Sequence, residues 1–396
     1  MKEIFLGFFF HKEKEDELLK ICKNGISIAV NQYQEGFLKG LGRKTNIISA
    51  TVIKAFSSSS RKLFFKRECA QGEYGSINYV SFINFYFVRE LFFEIGVYRE
   101  LINKTNENEE NIIYIYSLYI PFLKAIKRLK KTRKNIHCCL IIPDLPGSKG
   151  LLANARTLAG FRDRAEEKIK YKLSSIADSY VFLTEEMKNV FPKRPYTVIE
   201  GFLPNRDFPK NVKRQPKSIL YTGSLNAALG IDRLLEAFET IDDNDYELWI
   251  CGAGGIQPVV EAYARKDKRI KYMGFLSKRD ILLLQAKCDV LVNPRSNHDE
   301  FTKYSSPSKT MEYLLSGSKV VMYALLGVPY EYFQFIYVIE GYSIEDLKKA
   351  LVAACSDMEF YYNKSQQQIQ WISEEKTAKK QVRKLESIFN NQRGRT

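Results

Sequence analysis

Short apolar runs alternate with amphipathic stretches along most of the chain, which is the pattern of parallel strands connected by helices. Runs such as IIYIYS (112–117) and IHCCLII (136–142) contain no Lys, Arg, Asp or Glu and predict strands that are buried on both faces. The strands predicted before residue 204 are residues 26–30, 46–53, 76–85, 112–117, 136–142, 180–184 and 196–201. The pattern therefore predicts an α/β fold with parallel, doubly wound sheets.

A basic segment with three prolines, PNRDFPKNVKRQPK (204–217), interrupts this alternation. The alternation restarts at residue 218 with SILYTGS, and a chain of 396 residues is too long for a single core. We therefore predict an N-terminal domain over residues 1–203, a linker over 204–217, a C-terminal domain over 218–365 and a final helical segment, 366–396, that packs back on the N-terminal domain.

The net charge of +15 calls for an anionic partner, such as nucleic acid, anionic lipid or a phosphorylated substrate. Basic residues alternate with apolar ones in KAIKRLKKTRK (124–134) and SSSSRKLFFKR (57–67). Such stretches are typical of surfaces that rest on an anionic bilayer, and an ordinary solvated helix face is the alternative. The chain shows no basic-aromatic recognition module, so we do not expect nucleic acid.

The patterns of cysteine, histidine and hydropathy argue against metal-binding, disulfide-linked, exported and membrane-spanning proteins. The seven cysteines show neither metal-binding nor disulfide spacing, and three histidines cannot supply a His-rich metal centre. The apolar run at residues 4–10 is followed by charges and lacks a cleavage site for an exported protein. No run reaches the roughly 18 apolar residues of a membrane span. We expect a cytoplasmic protein with reduced thiols.

The segment YSSPSKTMEYLLSG (304–317) predicts a short helix with an unusual acidic residue. Ser305 or Ser306 can cap this helix and Gly317 can end it. Glu312 lies off the apolar face, about 7 Å of helix rise behind an amide end that attracts anions.

Residues 218–357 resemble the retaining glycosyltransferases of the GT-B fold, of the family 4 type found in bacterial polysaccharide assembly. The resemblance is carried by YTGSLNAALGIDRLLEAF, ICGAGG, CDVLVNPRSN and SSPSKTMEYLLSGSKVV, with weaker matches at IPDLP, FLTEEM and IEGFLPN. It implies two Rossmann-like, doubly wound domains facing a cleft, and a sugar transferred with retention from a nucleotide diphosphosugar. It also implies a glycan or lipid-linked saccharide acceptor, no cofactor, no metal, and a position on the inner face of the cell membrane.

The resemblance also assigns site residues. Glu312 would bind the ribose hydroxyls. Arg295 and Lys309 are the nearest substitutes for the cations with which the family neutralises the leaving diphosphate. The donor would also be lined by Gly223, Ser224, Gly252, Tyr304 and Ser308. Asp144, after the strand 136–142, would contact the sugar or accept the acceptor proton. Each residue also has an ordinary structural interpretation, as a surface side chain or a strand-end turn.

Three positions depart from the family pattern. Tyr304 stands where the first of two glutamates is expected, and Ser224 and Leu229 stand at the positions of an arginine and a lysine. These departures favour an alternative, namely a catalytically weak or inactive GT-B protein that binds sugar or partners another transferase.

Overall fold

The computed structural model describes residues 1–22, 26–51, 53–57, 60, 62–86, 88–145, 158–204, 207–209, 212–298, 300–306 and 308–393. The chain divides into two compact units. The N-terminal unit comprises Met1–Phe202 and the chain from Ala378 onward, and the C-terminal unit comprises Leu203–Thr377.

An eight-stranded sheet forms the centre of the N-terminal unit. The strands of this unit are β1 (Lys2–Gly7), β2 (Asn46–Ser49), β3 (Phe64–Phe65), β4 (Glu68–Gly72), β5 (Gly75–Tyr79), β6 (Phe82–Ile83), β7 (Asn111–Tyr116), β8 (Ile136–Ile142), β9 (Ser179–Phe182) and β10 (Tyr196–Val198). The sheet order is β10-β9-β8-β7-β1-β2-β5-β4, with only β4 antiparallel to its neighbour, and β3 pairs separately with β6.

The helices described in this unit before residue 175 are α1 (Lys12–Ile21), α2 (Ile28–Leu41), α3 (Arg89–Lys104), α4 (Ile120–Thr132) and α5 (Leu158–Ser174). The basic helix α4 buries its apolar side completely, since Phe122, Leu123, Ile126 and Leu129 are 0% exposed. Its cations lie on the opposite face, as the 3.6-residue period requires.

The start of the chain differs from the prediction. Residues 28–30, part of the predicted strand 26–30, begin α2, and the Ser27 hydroxyl caps that helix by accepting from the Val30 amide at 3.5 Å. The first strand is β1, which lies between β2 and β7 and buries Ile4, Phe5 and Leu6 fully. A five-residue apolar run fits a strand or a helical turn equally well, so pairing with neighbouring strands decides between them.

The C-terminal unit contains a six-stranded, all-parallel sheet. Its strands are β11 (Gln215–Thr222), β12 (Glu247–Cys251), β13 (Ile270–Gly274), β14 (Cys288–Asn293), β15 (Lys319–Met322) and β16 (Ile336–Val338), in the order β13-β12-β11-β14-β15-β16. Its helices are α6 (Ile231–Glu239), α7 (Gln257–Lys266), α8 (Lys278–Lys287), α9 (Ser308–Leu315), α10 (Ile344–Ser356), α11 (Phe360–Asn363) and α12 (Ser365–Glu375). The predicted α/β class with parallel, doubly wound sheets is confirmed.

The end of the chain returns to the N-terminal unit later than the predicted boundary at 365/366. Helix α12 stays with the C-terminal unit, where Gln368 donates to the Leu314 and Ser318 carbonyls at 2.7 and 3.1 Å. Helices α13 (Ala378–Arg383) and α14 (Leu385–Arg393) follow in the N-terminal unit. Helix α13 lies so close to α2 that a Cβ on Gly40 would be 2.3 Å from the Ala378 carbonyl oxygen.

Candidate functional site

Three adjacent strands of the C-terminal sheet end in glycines with positive φ. Gly223 and Gly252 follow β11 and β12, and Gly274 ends β13, with φ of 145°, 143° and 69°. The Gly252 amide donates to the Gly274 carbonyl at 2.9 Å, and a Cβ on Gly252 would lie 1.8 Å from the Gly223 carbonyl oxygen. Gly252 is therefore required for the close approach of two chain turns, which gives it a structural role at the carboxyl edge of the sheet.

Ser224 lies in the first of these turns. Its carbonyl accepts a hydrogen bond from the Tyr221 hydroxyl at 2.8 Å, while the residue itself is exposed. Leu229 ends a short 3-10 helix (Ala227–Leu229) and packs partly against the core of the unit. Neither residue supplies the positive charge that a diphosphate would need at this loop.

Glu312 on α9 is held by a buried amide on α8. The Gln285 side chain is 0% exposed, and its Nε2 donates to Glu312 Oε1 at 2.9 Å and to Thr222 Oγ1 at 3.5 Å. The Thr222 hydroxyl in turn lies 3.0 Å from the Tyr313 hydroxyl. These contacts connect α8, α9 and the carboxyl end of β11, so the carboxylate is partly buried and has a defined orientation rather than extending into bulk solvent.

Lys309, in the first turn of α9, places its ammonium group beside the same strand end. Its Nζ donates to the Thr222 carbonyl at 3.1 Å and lies 4.3 Å from the centroid of the Tyr221 ring. Burial and, second, the positive charge of Arg295 together lower the pKa of Lys309 to about 8, against the opposing charge of Glu312. Lys309 is therefore close enough to both Arg295 and Glu312 for their charges to act on it.

Arg295 is buried, so the alternative that it is an ordinary surface arginine is wrong. It is 7% exposed, its Nη1 donates to Ser305 Oγ at 3.2 Å, and its guanidinium lies 4.4 Å from the centroid of the Phe301 ring. Tyr304 ends the short 3-10 helix Glu300–Tyr304 and is partly buried beside this arginine's partner, Ser305. A buried cation at the start of α9 is suited to an anionic ligand.

Ser308 and Asp144 are the remaining predicted residues. Ser308 is the first residue of α9, but its side chain lies outside the described part of the structure. Asp144 belongs to the N-terminal unit and is exposed directly after β8. The pKa of the Tyr116 hydroxyl is raised chiefly by burial and then by the charge of Asp144, which places that carboxylate near the ends of β7 and β8.

Sequence reasoning did not identify Gln285, Thr222 or Tyr313, which orient the acidic group. One signal was available, since Gln285 lies three residues after Leu282 on the buried face of α8. A wholly buried polar side chain needs hydrogen-bond partners, and a functional carboxylate is one of the groups that can provide them.

No group of three or more His, Cys, Asp or Glu side chains that could hold a metal ion occurs within the described ranges. In the Asp-rich turn at residues 242–245, the carboxylates of Asp243 and Asp245 pair with one lysine, Lys217, whose Nζ lies 2.7 and 3.2 Å from them. Among the helices that the structure describes, none has the length and apolar character needed to cross a bilayer.

Comparisons with known proteins concern the C-terminal unit and the fold of the chain. The family model of glycosyl transferases group 1 matches residues 216–357, which lie within the C-terminal unit. A search of curated proteins found no match. Residues 216–357 of the C-terminal unit are therefore similar to the glycosyl transferases group 1.

Several solved structures are similar to this chain over nearly its whole length. Sucrose-phosphate synthase from Thermosynechococcus elongatus has a TM-score of 0.62 at 12% identity, with 100% of both chains covered. WaaG, a glycosyltransferase involved in lipopolysaccharide biosynthesis, has a TM-score of 0.59 at 13% identity, covering 98% of this chain and 99% of WaaG. The pneumococcal O-GlcNAc transferase GtfA has a TM-score of 0.57 at 12% identity, covering 98% and 99%. The fold is GT-B, and the fold and the domain together indicate a glycosyltransferase.

Proposed function

We propose that the protein is a retaining glycosyltransferase that moves a sugar from a nucleotide diphosphosugar to a glycan or lipid-linked saccharide in surface polysaccharide synthesis. The observation that carries this proposal is the group around the start of α9, where the buried Arg295 and the partly buried Lys309 accompany a carboxylate that Gln285 holds at 2.9 Å. Two cations and one oriented carboxylate are the groups that a diphosphate and a ribose diol require.

Each group has a chemical role in this proposal. The bond between the anomeric carbon and the diphosphate oxygen breaks, and negative charge grows on the leaving nucleoside diphosphate. Arg295 and Lys309 stabilise that charge, while Glu312 accepts hydrogen bonds from the ribose hydroxyls. The acceptor oxygen bonds to the anomeric carbon on the same face and gives its proton to the leaving diphosphate. Asp144 is proposed to contact the sugar or the acceptor hydroxyl.

The donor is proposed to bind without a metal ion, because the cationic side chains and the amide end of α9 can balance the phosphate charge. Activity should accordingly persist in EDTA. Loss of turnover in EDTA, with recovery on adding a divalent cation, would contradict this part of the proposal. UDP-sugars are the first donors to test, since the pneumococcal enzyme was solved with UDP and GlcNAc and an E. coli protein with UDP-2-fluoro-glucose.

The second candidate function is a catalytically weak or inactive GT-B protein that binds sugar or partners another transferase. It is favoured by Tyr304, Ser224 and Leu229, which leave the loop after β11 without a cation and the start of α9 without a second glutamate. Release of free nucleoside diphosphate from UDP-, GDP- and ADP-sugars, with and without membrane extract, separates the two functions. Tight donor binding without turnover under every condition would favour the second.

The site assignment is tested by calorimetric titration of nucleoside diphosphates into Glu312→Ala. Loss of hydrogen bonds to a charged group should weaken binding by about 2 kcal/mol, or roughly 30-fold. Glu359→Ala is the matched control, because Glu359 is an exposed glutamate elsewhere in the same unit. Equal affinity in the wild type and Glu312→Ala would refute the assignment.

A further inference from the structure

A second surface, on the N-terminal unit, exposes large apolar side chains beside the carboxyl ends of its strands. Six residues between 37% and 64% exposed form this surface, which we call the aromatic edge: Phe56, Phe64, Phe85, Tyr86, Leu91 and Phe92. Residues 50–65 follow β2 and residues 80–92 follow β5, and β2 and β5 are neighbours in the sheet. Ligands of such sheets bind at the carboxyl ends of strands.

One buried residue joins the two segments into a single surface. The Asn84 side chain is 0% exposed, and its Nδ2 donates to the Lys54 and Lys62 carbonyls at 3.0 and 3.4 Å. Strands β3 and β6 pair antiparallel, with Phe64 opposite Ile83, and the Phe56 amide donates to the Asn84 carbonyl at 2.9 Å. The two segments that carry the exposed aromatic side chains are therefore joined by hydrogen bonds, which we call the hydrogen-bonded platform. These bonds fix the backbone there even though the aromatic side chains are not buried.

Cations outnumber carboxylates in the two segments that carry the aromatic edge. Residues 46–67 and 74–89 contain no Asp or Glu but six cations, and the exposed Glu90 follows directly. The six cations are Lys54, Arg61, Lys62, Lys66, Arg67 and Arg89. Two of these cations already pair with carboxylates, Lys62 with Glu17 at 3.0 Å and Arg67 with Glu100 at 2.5 Å. The surface is consequently apolar at its centre with a modest positive rim.

We propose that the aromatic edge inserts into the interface of an anionic bilayer and so presents the acceptor side of the protein to lipid-linked saccharides. The inference deepens the proposed function, on which it rests for the choice of acceptor. Aromatic side chains with adjacent lysines suit the headgroup boundary, where apolar bodies are buried and cations meet anionic lipid. Nucleic acid is disfavoured because it needs a row of cations for the phosphates, and Lys62 and Arg67 already pair with carboxylates.

In this proposal the aromatic edge, and not the basic helix α4, inserts into the bilayer. The apolar residues of α4 are packed in the core of the N-terminal unit, so its exposed face offers cations alone. Lys127 and Lys131 on that face are exposed and can add long-range attraction. Removing their charge should therefore affect binding less than removing the exposed aromatics.

The test measures co-flotation of the full chain with vesicles of phosphatidylglycerol and phosphatidylcholine in equal parts. The variant Phe56→Ser/Phe64→Ser/Leu91→Ser should lower the partition coefficient about tenfold or more. Lys127→Glu/Lys131→Glu should lower it by a smaller factor, and Tyr362→Ser, which removes an 87% exposed tyrosine of the C-terminal unit, should leave it unchanged. Vesicle binding by the triple variant at the wild-type level, or no binding by the wild type, would overturn the proposal.

A spectroscopic variant reports insertion directly. Phe64→Trp should show a blue-shifted emission when vesicles are added, and Tyr362→Trp should not. Absence of a shift in Phe64→Trp, or tighter binding of single-stranded RNA than of vesicles, would also overturn the proposal. Nucleoside diphosphate affinity should be unchanged in the triple variant, so a failure of this inference is distinguishable from a failure of the proposed donor site.

Discussion

The two units place opposite chemistry at the same kind of location, the carboxyl ends of parallel strands. In the C-terminal unit this location holds polar groups that are buried and mutually oriented, such as Gln285 with Glu312 and Lys309 with the Thr222 carbonyl. In the N-terminal unit it holds exposed aromatic side chains such as Phe56 and Phe64 above a hydrogen-bonded platform.

This difference follows from the kinds of partner that each edge suits. A small anionic ligand is recognised by a few groups at defined positions, and these groups must be oriented before the ligand arrives. A fluid lipid surface has no fixed positions, so exposed apolar area and positive charge suffice. Substitutions should therefore be more damaging at the C-terminal edge than at the N-terminal edge.

The largest effect is expected at the contact between the two glycine turns. Gly252→Ala places a Cβ 1.8 Å from the Gly223 carbonyl oxygen at a φ of 143°, so the backbone must move. We expect a loss of about 3 kcal/mol or more in the free energy of unfolding of the C-terminal unit. Urea unfolding followed by fluorescence of Trp249, which is buried in β12, measures this loss. Gly255→Ala, where a Cβ has no neighbour within 4 Å, is the control and should be nearly neutral.

The next effect concerns the orientation of Glu312. Gln285→Met keeps the volume of the buried side chain but removes the donor to the carboxylate, and should weaken nucleoside diphosphate binding about five- to tenfold. The same substitution in a Glu312→Ala background should have little further effect on affinity. Equal losses in both backgrounds, measured by calorimetry, would show that Gln285 acts through the core and not through Glu312.

A pH dependence is expected from Lys309, whose pKa of about 8 lies below the usual lysine value because of burial first and Arg295 second. As pH rises from 7 to 9 the free protein loses this charge, so nucleoside diphosphate affinity should fall by up to about tenfold. Because the pKa of Lys309 is lower in the folded protein than in the unfolded chain, the charged lysine lowers the free energy of unfolding. This loss of stability is complete below pH 8 and diminishes as pH rises towards 10.5.

Lys309→Met provides the comparison for this profile. It should bind nucleoside diphosphate weakly at pH 7 and should show a flatter pH dependence than the wild type. Identical slopes in the two proteins would assign the pH dependence to another group.

The smallest effect on stability is expected at the aromatic edge. Phe64 is 64% exposed, so Phe64→Ser should change the unfolding free energy of the N-terminal unit by no more than about 0.5 kcal/mol. Phe93→Ser, at a fully buried position on α3, should cost several times more. A large loss in Phe64→Ser, measured by thermal unfolding, would show that the exposed aromatics are part of the core.

Much of the fold could be predicted from the sequence, because charge-free apolar runs such as residues 136–142 indicate a strand buried between helices. The predictions failed at two of the predicted strands. Residues 28–30 begin a helix, and residues 76–85 divide into β5 and β6, which belong to different sheets. Local pattern over five residues does not distinguish a strand from a helical turn, and partner strands far along the chain make the decision.

The sequence by itself determined the α/β class, the helix that begins at Ser308 and the presence of one carboxylate on it, since these depend on local periodicity and capping. Only the tertiary structure decided that Gln285 holds Glu312, that Gly252 meets Gly223, and that the apolar face of α4 belongs to the core. Each of these contacts joins residues from different elements, and their geometry depends on strand order and packing, which no local pattern specifies.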